Sequence, residues 1–69
     1  MKRNYQTIRE EILESFDGSK KTINEIAKLI HADWRTVRHH LEWLERNKKV
    51  EMVWKNKRLR LYKLLQGWL

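Results

Sequence analysis

The sequence predicts one small, mainly α-helical domain that ends in a β-hairpin, and three observations support this. Apolar residues recur every three or four positions in three segments before residue 48, as in helices that bury one face. From Val50 the spacing changes to two, the period of a half-buried strand. The chain has 69 residues, which is enough for one domain, and we expect that domain to span residues 1–69. It contains no proline, and because it contains no cysteine the domain has no disulfides.

The first helix is expected from about Asn4 to Phe16. Asn4 can cap its start, and Gly18 tolerates the positive φ with which many helices end. The apolar positions form one stripe, which comprises Tyr5, Ile8, Ile12, Leu13 and Phe16. This stripe indicates that one side of the helix packs on the rest of the domain.

The second helix follows a short extended link and is expected to end near Ile30. Either Thr22 or Asn24 can cap it, and with Thr22 as the cap Glu25 completes a capping box. Its inward positions are Ile23, Ile26, Ala27 and Ile30. A helix this short depends on that apolar face for its stability.

A third helix is expected after a break at residues 31–33. Asp33 is a good cap for it, and the pattern continues to about Asn47. The expected inward stripe consists of Trp34, Val37, Leu41 and Leu44. Residues 22–47 therefore form two helices joined by a tight turn.

The segment 50–65 is predicted to form the hairpin. Val50, Met52 and Trp54 alternate with residues that are expected to face the other way. Asn56 is expected to adopt the left-handed conformation of a tight turn between the strands. In the second strand Leu59, Leu61 and Leu65 are expected on one side and Arg60, Tyr62 and Leu64 on the other.

Positive charge is concentrated in the last third of the chain. The net charge is +7 and the pI is about 10.1. Residues 46–69 contain eight basic residues and one acidic residue, whereas the charges of the preceding segments nearly balance. A domain with a pI above about 9 is typical of nucleic-acid binding. An anionic membrane surface and an acidic protein partner are the alternatives.

Other classes of function lack their sequence signals. The longest apolar runs have three or four residues, so neither a membrane span nor a signal peptide is expected. There is no phosphate-binding loop and no Ser-His-Asp set. The neighbouring His39 and His40 diverge by about 100° on a helix and do not suit one metal ion. We therefore expect a protein that is not an enzyme and has no metal, cofactor or small-molecule substrate. We expect it to work in the cytoplasm, or in the cytoplasm of the host cell if the source is viral.

Residues 22–50 resemble the core of winged helix-turn-helix repressors. The shared pattern is an EIA segment, a turn, a TV pair and two leucines three apart, here Glu25-Ile26-Ala27, Thr36-Val37, Leu41 and Leu44. The arsenic-repressor-like and multiple-antibiotic-resistance-repressor-like families carry this pattern, and the size and composition resemble short regulators of archaea and their viruses. His31 stands where these families commonly have the glycine of a positive-φ turn.

This resemblance implies a sequence-specific, double-stranded DNA-binding transcription regulator, and we expect a repressor. The third helix would lie in the major groove and the basic wing on the backbone or in the minor groove. The implied helix contacts are Trp34, Arg35, Thr36, Arg38 and His39. The implied wing contacts are Lys55, Asn56, Lys57, Arg58 and Arg60. Further backbone contacts are Lys20, Lys21 and Lys28.

Ordinary structural roles compete with these assignments. Trp34 could cover the core, Arg35 and Arg38 could form a solvated helix face, and the basic wing could serve solubility alone. Trp43 could pack under the hairpin or face a partner. The rival functions are a winged-helix interaction module of a larger nucleic-acid-processing assembly and a non-specific DNA-coating protein.

The last six residues are apolar for the end of a chain. They either fold back on the first helix or meet the same segment of a second copy, and the small core favours a homodimer. The expected dimer contacts are Tyr5, Leu65, Trp68 and Leu69. Such a dimer would read a pseudo-palindromic site.

Overall fold

The computed structural model describes residues 3–65, which contain three helices and three strands. Their bounds are α1 Tyr5–Ser15, β1 Lys21–Thr22, α2 Ile23–Ile30, α3 Trp34–Arg46, β2 Val50–Lys55 and β3 Arg60–Leu64. The expected order of three helices and a hairpin is confirmed, and β1 is an additional short strand. We call β2, β3 and the turn between them the wing.

Each helix begins at a side-chain cap that the sequence predicted. The side chain of Asn4 caps α1. At α2, Thr22 Oγ1 accepts from the amide of Glu25 at 3.2 Å, and the Glu25 carboxylate accepts from the amide of Thr22 at 2.8 Å. At α3, the carboxylate of Asp33 accepts from the amide of Arg35 at 2.9 Å. These bonds satisfy amides that the first turn of a helix leaves unpaired.

The turn between α2 and α3 is held by the N-terminal segment. His31 has φ 56° and ψ 48°, the left-handed conformation expected at this position. Arg3 donates to the carbonyl of Ile30 at 2.8 Å and to that of His31 at 3.1 Å. Arg3 also forms an ion pair with Glu11 of α1. The end of α2 is thereby tied to α1 before α3 begins.

The three strands form one antiparallel sheet in the order β1-β3-β2. In the first half of the wing, Val50 pairs with Leu64 and Met52 pairs with Tyr62. A β-bulge then places Trp54, and not Val53, opposite Leu61. The β2 strand thus has one more residue than β3 in this stretch, and its inward and outward sides exchange there.

The bulge makes one sequence prediction wrong. Trp54 does not share the face of Val50 and Met52, and its side chain is 52% exposed. Paired residues of antiparallel strands point to the same side. Trp54 therefore lies with Leu61 on the outer face of the sheet.

On β3, Tyr62 and Leu64 share one side as expected, and that side faces the core. Tyr62 is completely buried and Leu64 packs against the core, whereas Leu59 is 40% exposed. The Tyr62 hydroxyl has no hydrogen-bond partner within residues 3–65. Its burial raises the pKa of Tyr62. The core of the wing is therefore built on the even-numbered residues of β3.

The three helices bury the apolar stripes that define them, with two exceptions. The buried side chains are Ile8, Ile12, Leu13 and Phe16; Ile23, Ile26, Ala27 and Ile30; Val37, His40, Leu41 and Leu44; and Val50 and Tyr62. Tyr5, the first residue of α1, is 66% exposed. Trp34, the first residue of α3, is 39% exposed, so its expected place in the inward stripe is wrong. His40 occupies that stripe instead.

A polar and aromatic cluster joins α1 to α3. Arg9 Nε donates to His40 Nδ1 at 3.2 Å, and the Arg9 guanidinium carbon lies 3.7 Å from the ring centroid of Trp43. The ring of Tyr5 meets His40 edge-on at 5.1 Å between centroids. Trp43 thus contacts Arg9 of α1 within its own domain and does not pack under the hairpin. Within residues 3–65, no helix is long and apolar enough to cross a membrane.

Candidate nucleic-acid interface

The first turns of α3 and the tip of the wing face each other across one cleft of about 250 Å³. Trp34 and Arg38 line it from α3, and residues 55–60 line it from the wing. Ile23 and Asn24, at the start of α2, complete the wall. The two basic elements that the sequence singled out are therefore brought to one surface.

Asn56 builds the wing tip through its side chain. Its Oδ1 accepts from the amides of Arg58 at 2.8 Å and Leu59 at 2.7 Å, and its own amide donates to the Leu59 carbonyl at 2.9 Å. The expected left-handed conformation at Asn56 is wrong, since its φ is not positive. The side chain closes the turn instead, as an Asx turn does. The backbone of Lys57 and Arg58 is thereby held at the tip.

Several cations of α3 and the wing have no acidic partner. The ion pairs within residues 3–65 join Arg3 to Glu11, Arg60 to Glu42 and Lys63 to Glu51. On α3 and the wing, the exposed cations that take part in none of these pairs are Arg35, Arg38, Arg46, Lys55, Lys57 and Arg58. A surface with several such charges is suited to a polyanion.

The guanidinium of Arg38 lies over the ring of Trp34. The guanidinium carbon of Arg38 lies 5.2 Å from the ring centroid of Trp34, within the range of a cation–π contact. The two residues are four apart on α3, which places them one turn from each other on the same face. The indole of Trp34 thus lines the cleft and is not part of the core.

Glu42 was not predicted as part of this surface. It lies one turn beyond Arg38 on α3, and its Oε2 accepts from Arg60 Nη1 at 3.1 Å. The nearby Tyr62 hydroxyl and the Glu42 carboxylate raise the pKa of Arg60. The spacing of four from Arg38 was the available sequence signal, but the partner on β3 becomes visible only in the folded chain.

The other predicted helix contacts lie on α3 outside the cleft. Arg35 is exposed, Thr36 is half-buried, and His39 is exposed with its ring edge-on to His40. Asn24 of α2 lines the cleft and was not among the residues predicted for this surface. Its position in the first turn after a helix cap was the signal that could have indicated it.

The three further lysines are distributed over different surfaces. Lys28 is exposed, one turn after Asn24 on α2. Lys20 lines a separate groove with Lys63. The ammonium of Lys21 donates to Ser19 Oγ at 2.6 Å and lines a third groove between α1 and α2. The fold therefore brings neither Lys20 nor Lys21 to the cleft.

The proposed dimer contacts are described only in part. Tyr5 is exposed and contacts His40 of its own chain. Leu65 is half-buried, and its amide donates to the Lys49 carbonyl at 3.0 Å. Trp68 and Leu69 lie outside the described residues. In the part of the chain that is described, no three His, Asp or Glu residues are grouped as metal ligands require.

The fold and the position of the cleft define a winged helix-turn-helix domain. The solved structure of the Zalpha domain of PKZ from Carassius auratus, in complex with Z-DNA, has the same fold with a TM-score of 0.78. The two chains are 26% identical, and the match covers 88% of this chain and 97% of that one. No protein-family model and no curated protein matches the sequence. These comparisons confirm the winged-helix fold but do not support the two repressor families that the sequence pattern resembles.

Proposed function

We propose that this domain binds double-stranded DNA through the cleft between α3 and the wing. The observation that carries the proposal is the convergence of Arg38 with residues 55–60 on one cleft. DNA places phosphates on both sides of each groove, and a helix flanked by a basic hairpin can contact a groove and its backbone together. The solved neighbour of the same fold, whose complex contains DNA, supports this proposal.

The two walls of the cleft would have different tasks. Arg35 or Arg38 can donate two parallel bonds to O6 and N7 of a guanine, a contact that discriminates against other bases by about 1–3 kcal/mol. Lys57 and Arg58 at the wing tip would neutralise phosphates, which positions the domain and carries little sequence information. Thr36 and His39 would add phosphate or base contacts along α3.

In its more specific form, the proposal is a sequence-specific transcription regulator, and we favour a repressor that binds as a homodimer. The pattern of residues 22–50 supports this form, since it resembles the core of such repressors. A dimer would place two recognition helices about one turn of DNA apart and read a pseudo-palindromic site. Selection of bound sequences from a random pool, together with the mass of the free protein in solution, tests both points.

A second candidate is a preference for left-handed DNA. The observation that favours it is the solved neighbour, a Zalpha domain in complex with Z-DNA that is 26% identical to this chain. The unpaired cations at the start of α3 and on the wing would serve either helical form, because both present phosphates. The helical form therefore has to be separated from the sequence in the experiment.

The test uses an alternating C-G duplex in two forms: unmodified, which is right-handed, and brominated, which holds the left-handed form. A third probe is the duplex obtained by selection from the random pool. Fluorescence anisotropy gives the affinities, and circular dichroism reports the helical form. Arg38→Ala should weaken binding to the preferred duplex roughly 5- to 150-fold. Lys20→Ala removes one positive charge outside the cleft and should change affinity little. Equal effects of the two variants would contradict a site in the cleft.

A further inference from the structure

Trp34 is a large aromatic side chain that the fold leaves at the surface, covered on one face by a cation of its own helix. We propose that Trp34 is a positioning residue, which holds the guanidinium of Arg38 so that it reads a guanine edge. The inference rests on the proposed function and adds which of the two arginines reads the guanine and which residue holds that arginine in position. Trp34 acts through Arg38 and not by its own contact with DNA.

The geometry of the contact suits this task. The guanidinium carbon of Arg38 lies 5.2 Å from the centroid of the Trp34 ring. A guanidinium that lies over an indole face uses none of its N–H groups in conventional hydrogen bonds to the ring, so they stay available as donors. The indole therefore limits the rotamers of Arg38 without using its donors.

The contact with Trp34 also limits the movement of the Arg38 side chain, which has no ion-pair partner within residues 3–65. The carboxylate one turn further on, Glu42, is occupied by Arg60 at 3.1 Å. An arginine at the surface without a partner samples many rotamers and loses this freedom on binding. The contact removes part of this loss before DNA arrives.

The division of charges across the cleft points to a base rather than a phosphate as the target of Arg38. The wing already presents Lys55, Lys57 and Arg58 for phosphates. Arg38 lies on the recognition helix, where side chains of the first turns meet base edges. Guanine carries two neighbouring acceptors in the major groove that match the guanidinium fork, and no other base offers this pair.

Four variants test whether Trp34 works through Arg38: Trp34→Phe, Trp34→Leu, Arg38→Lys and the double variant Trp34→Leu/Arg38→Lys. The probes are a duplex that the unmodified protein binds and its copy with 7-deazaguanine, which lacks the N7 acceptor. The unmodified protein and Trp34→Phe should bind the first duplex several-fold more tightly than the second. Trp34→Leu should bind the first duplex roughly 2- to 5-fold more weakly, as expected for loss of an exposed cation–π contact, and should discriminate poorly.

The double variant gives the sharper result. If Trp34 acts through Arg38, adding Trp34→Leu to Arg38→Lys should cause no further loss of affinity or discrimination, because the two residues form one unit. The salt dependence of binding should be the same for Trp34→Leu and the unmodified protein, since the number of neutralised phosphates is unchanged. Losses that multiply would mean that Trp34 touches DNA itself, and would overturn the inference.

A measurement on the free protein separates this inference from the proposed function. In the NMR spectrum, the side-chain protons of Arg38 should show a ring-current shift in the unmodified protein and in Trp34→Phe, and none in Trp34→Leu. Arg35, in the same turn, is the internal reference. Absence of the shift in the unmodified protein overturns the contact, even if DNA binds. Failure of the unmodified protein to bind any duplex overturns the proposed function, even if the shift is present.

Discussion

Arg9 Nε donates a hydrogen bond to His40 Nδ1 across 3.2 Å, which joins α1 to the buried side of α3. An imidazole nitrogen that accepts carries no proton, so His40 is neutral with its proton on Nε2. Burial lowers the pKa of His40, and the electrostatic influence of Arg9 and of the neighbouring His39 lowers it further. Tyr5 also meets the ring, edge-on from α1. The main interface behind the recognition helix therefore depends on an uncharged histidine.

The first prediction is a loss of stability in mild acid. The unfolded chain protonates His40 near its ordinary pKa of about 6.5, whereas the folded chain resists protonation to a lower pH. The unfolded state then binds more protons, so the free energy of unfolding should fall as the pH drops below about 6.5 and level off below the folded pKa. Chemical unfolding at a series of pH values measures this slope.

His40→Gln is the matched variant for this prediction. Its amide oxygen can still accept from Arg9, but the side chain does not titrate. The variant should lose the slope that begins near pH 6.5, while His39→Gln, an exposed neighbour, should keep it. The pKa of Glu25 is also lowered, by its bond from the Thr22 amide, and its contribution is lost only as the pH falls below about 4.5. An unchanged slope in His40→Gln would contradict the assignment.

The second prediction is that Glu42→Gln strengthens DNA binding. Its carboxylate pairs with Arg60 beside the cleft, so its removal frees a cation for phosphate. Affinity should rise, and the slope of log K against log salt should steepen by up to about 0.9, the value for one more neutralised phosphate. The folded state should lose only about 0–1 kcal/mol, because the pair is partly exposed.

Glu51→Gln is the control for this effect. Glu51 pairs with Lys63 at 3.8 Å on the wing, away from the cleft, so the change in net charge is the same. Titrations of both variants at several salt concentrations distinguish a local from a general charge effect. An equal gain in affinity for the two variants would mean that Arg60 is not released by Glu42→Gln.

The third prediction concerns the wing tip. Asn56→Ala removes the acceptor for the amides of Arg58 and Leu59 and should weaken DNA binding several-fold without removing a charge. The cost to stability should be about 1 kcal/mol, the usual worth of such bonds. Amide hydrogen exchange should become faster at Arg58 and Leu59. Asn47→Ala loses a side-chain bond to Trp43 at the end of α3 and should leave DNA affinity unchanged.

The parts of the fold that depend on local sequence could be predicted. The capping box of Thr22 and Glu25 and the cap at Asp33 join residues two or three apart. The local pattern therefore located the start of α3 and limited the cap of α2 to Thr22 or Asn24. The left-handed conformation of His31 followed from its place in a shared motif. The approach of the basic wing to α3 followed from the order of the elements.

The rest depends on contacts between distant parts of the chain. The bulge before Trp54 reflects the pairing of β2 with β3, and no local residue pattern announces it. The pairing of Glu42 with Arg60 joins residues 18 apart. The apolar stripe predicted for α3 did not include His40, because its burial depends on Arg9 and Tyr5 of another helix. Such features follow from tertiary packing, which sequence periodicity does not encode.

The last prediction is that Tyr62→Phe stabilises the domain. The Tyr62 side chain is completely buried in the core of the wing, and its hydroxyl has no hydrogen-bond partner within residues 3–65. A buried polar group without a partner costs about 1–3 kcal/mol, and phenylalanine keeps the ring while removing that group. We expect a gain of about 1 kcal/mol, which corresponds to a rise in melting temperature of roughly 4–8 °C for a domain of this size.

Thermal unfolding at neutral pH measures this gain. Tyr5→Phe is the control, since Tyr5 is exposed and its hydroxyl stays in water, so its melting temperature should not change. Because the Tyr62 hydroxyl is near the guanidinium of Arg60, DNA affinity should be measured on the same variant and should stay within about twofold. Destabilisation of Tyr62→Phe would show that the hydroxyl is hydrogen-bonded in solution, and the neighbouring guanidinium of Arg60 would then be its partner.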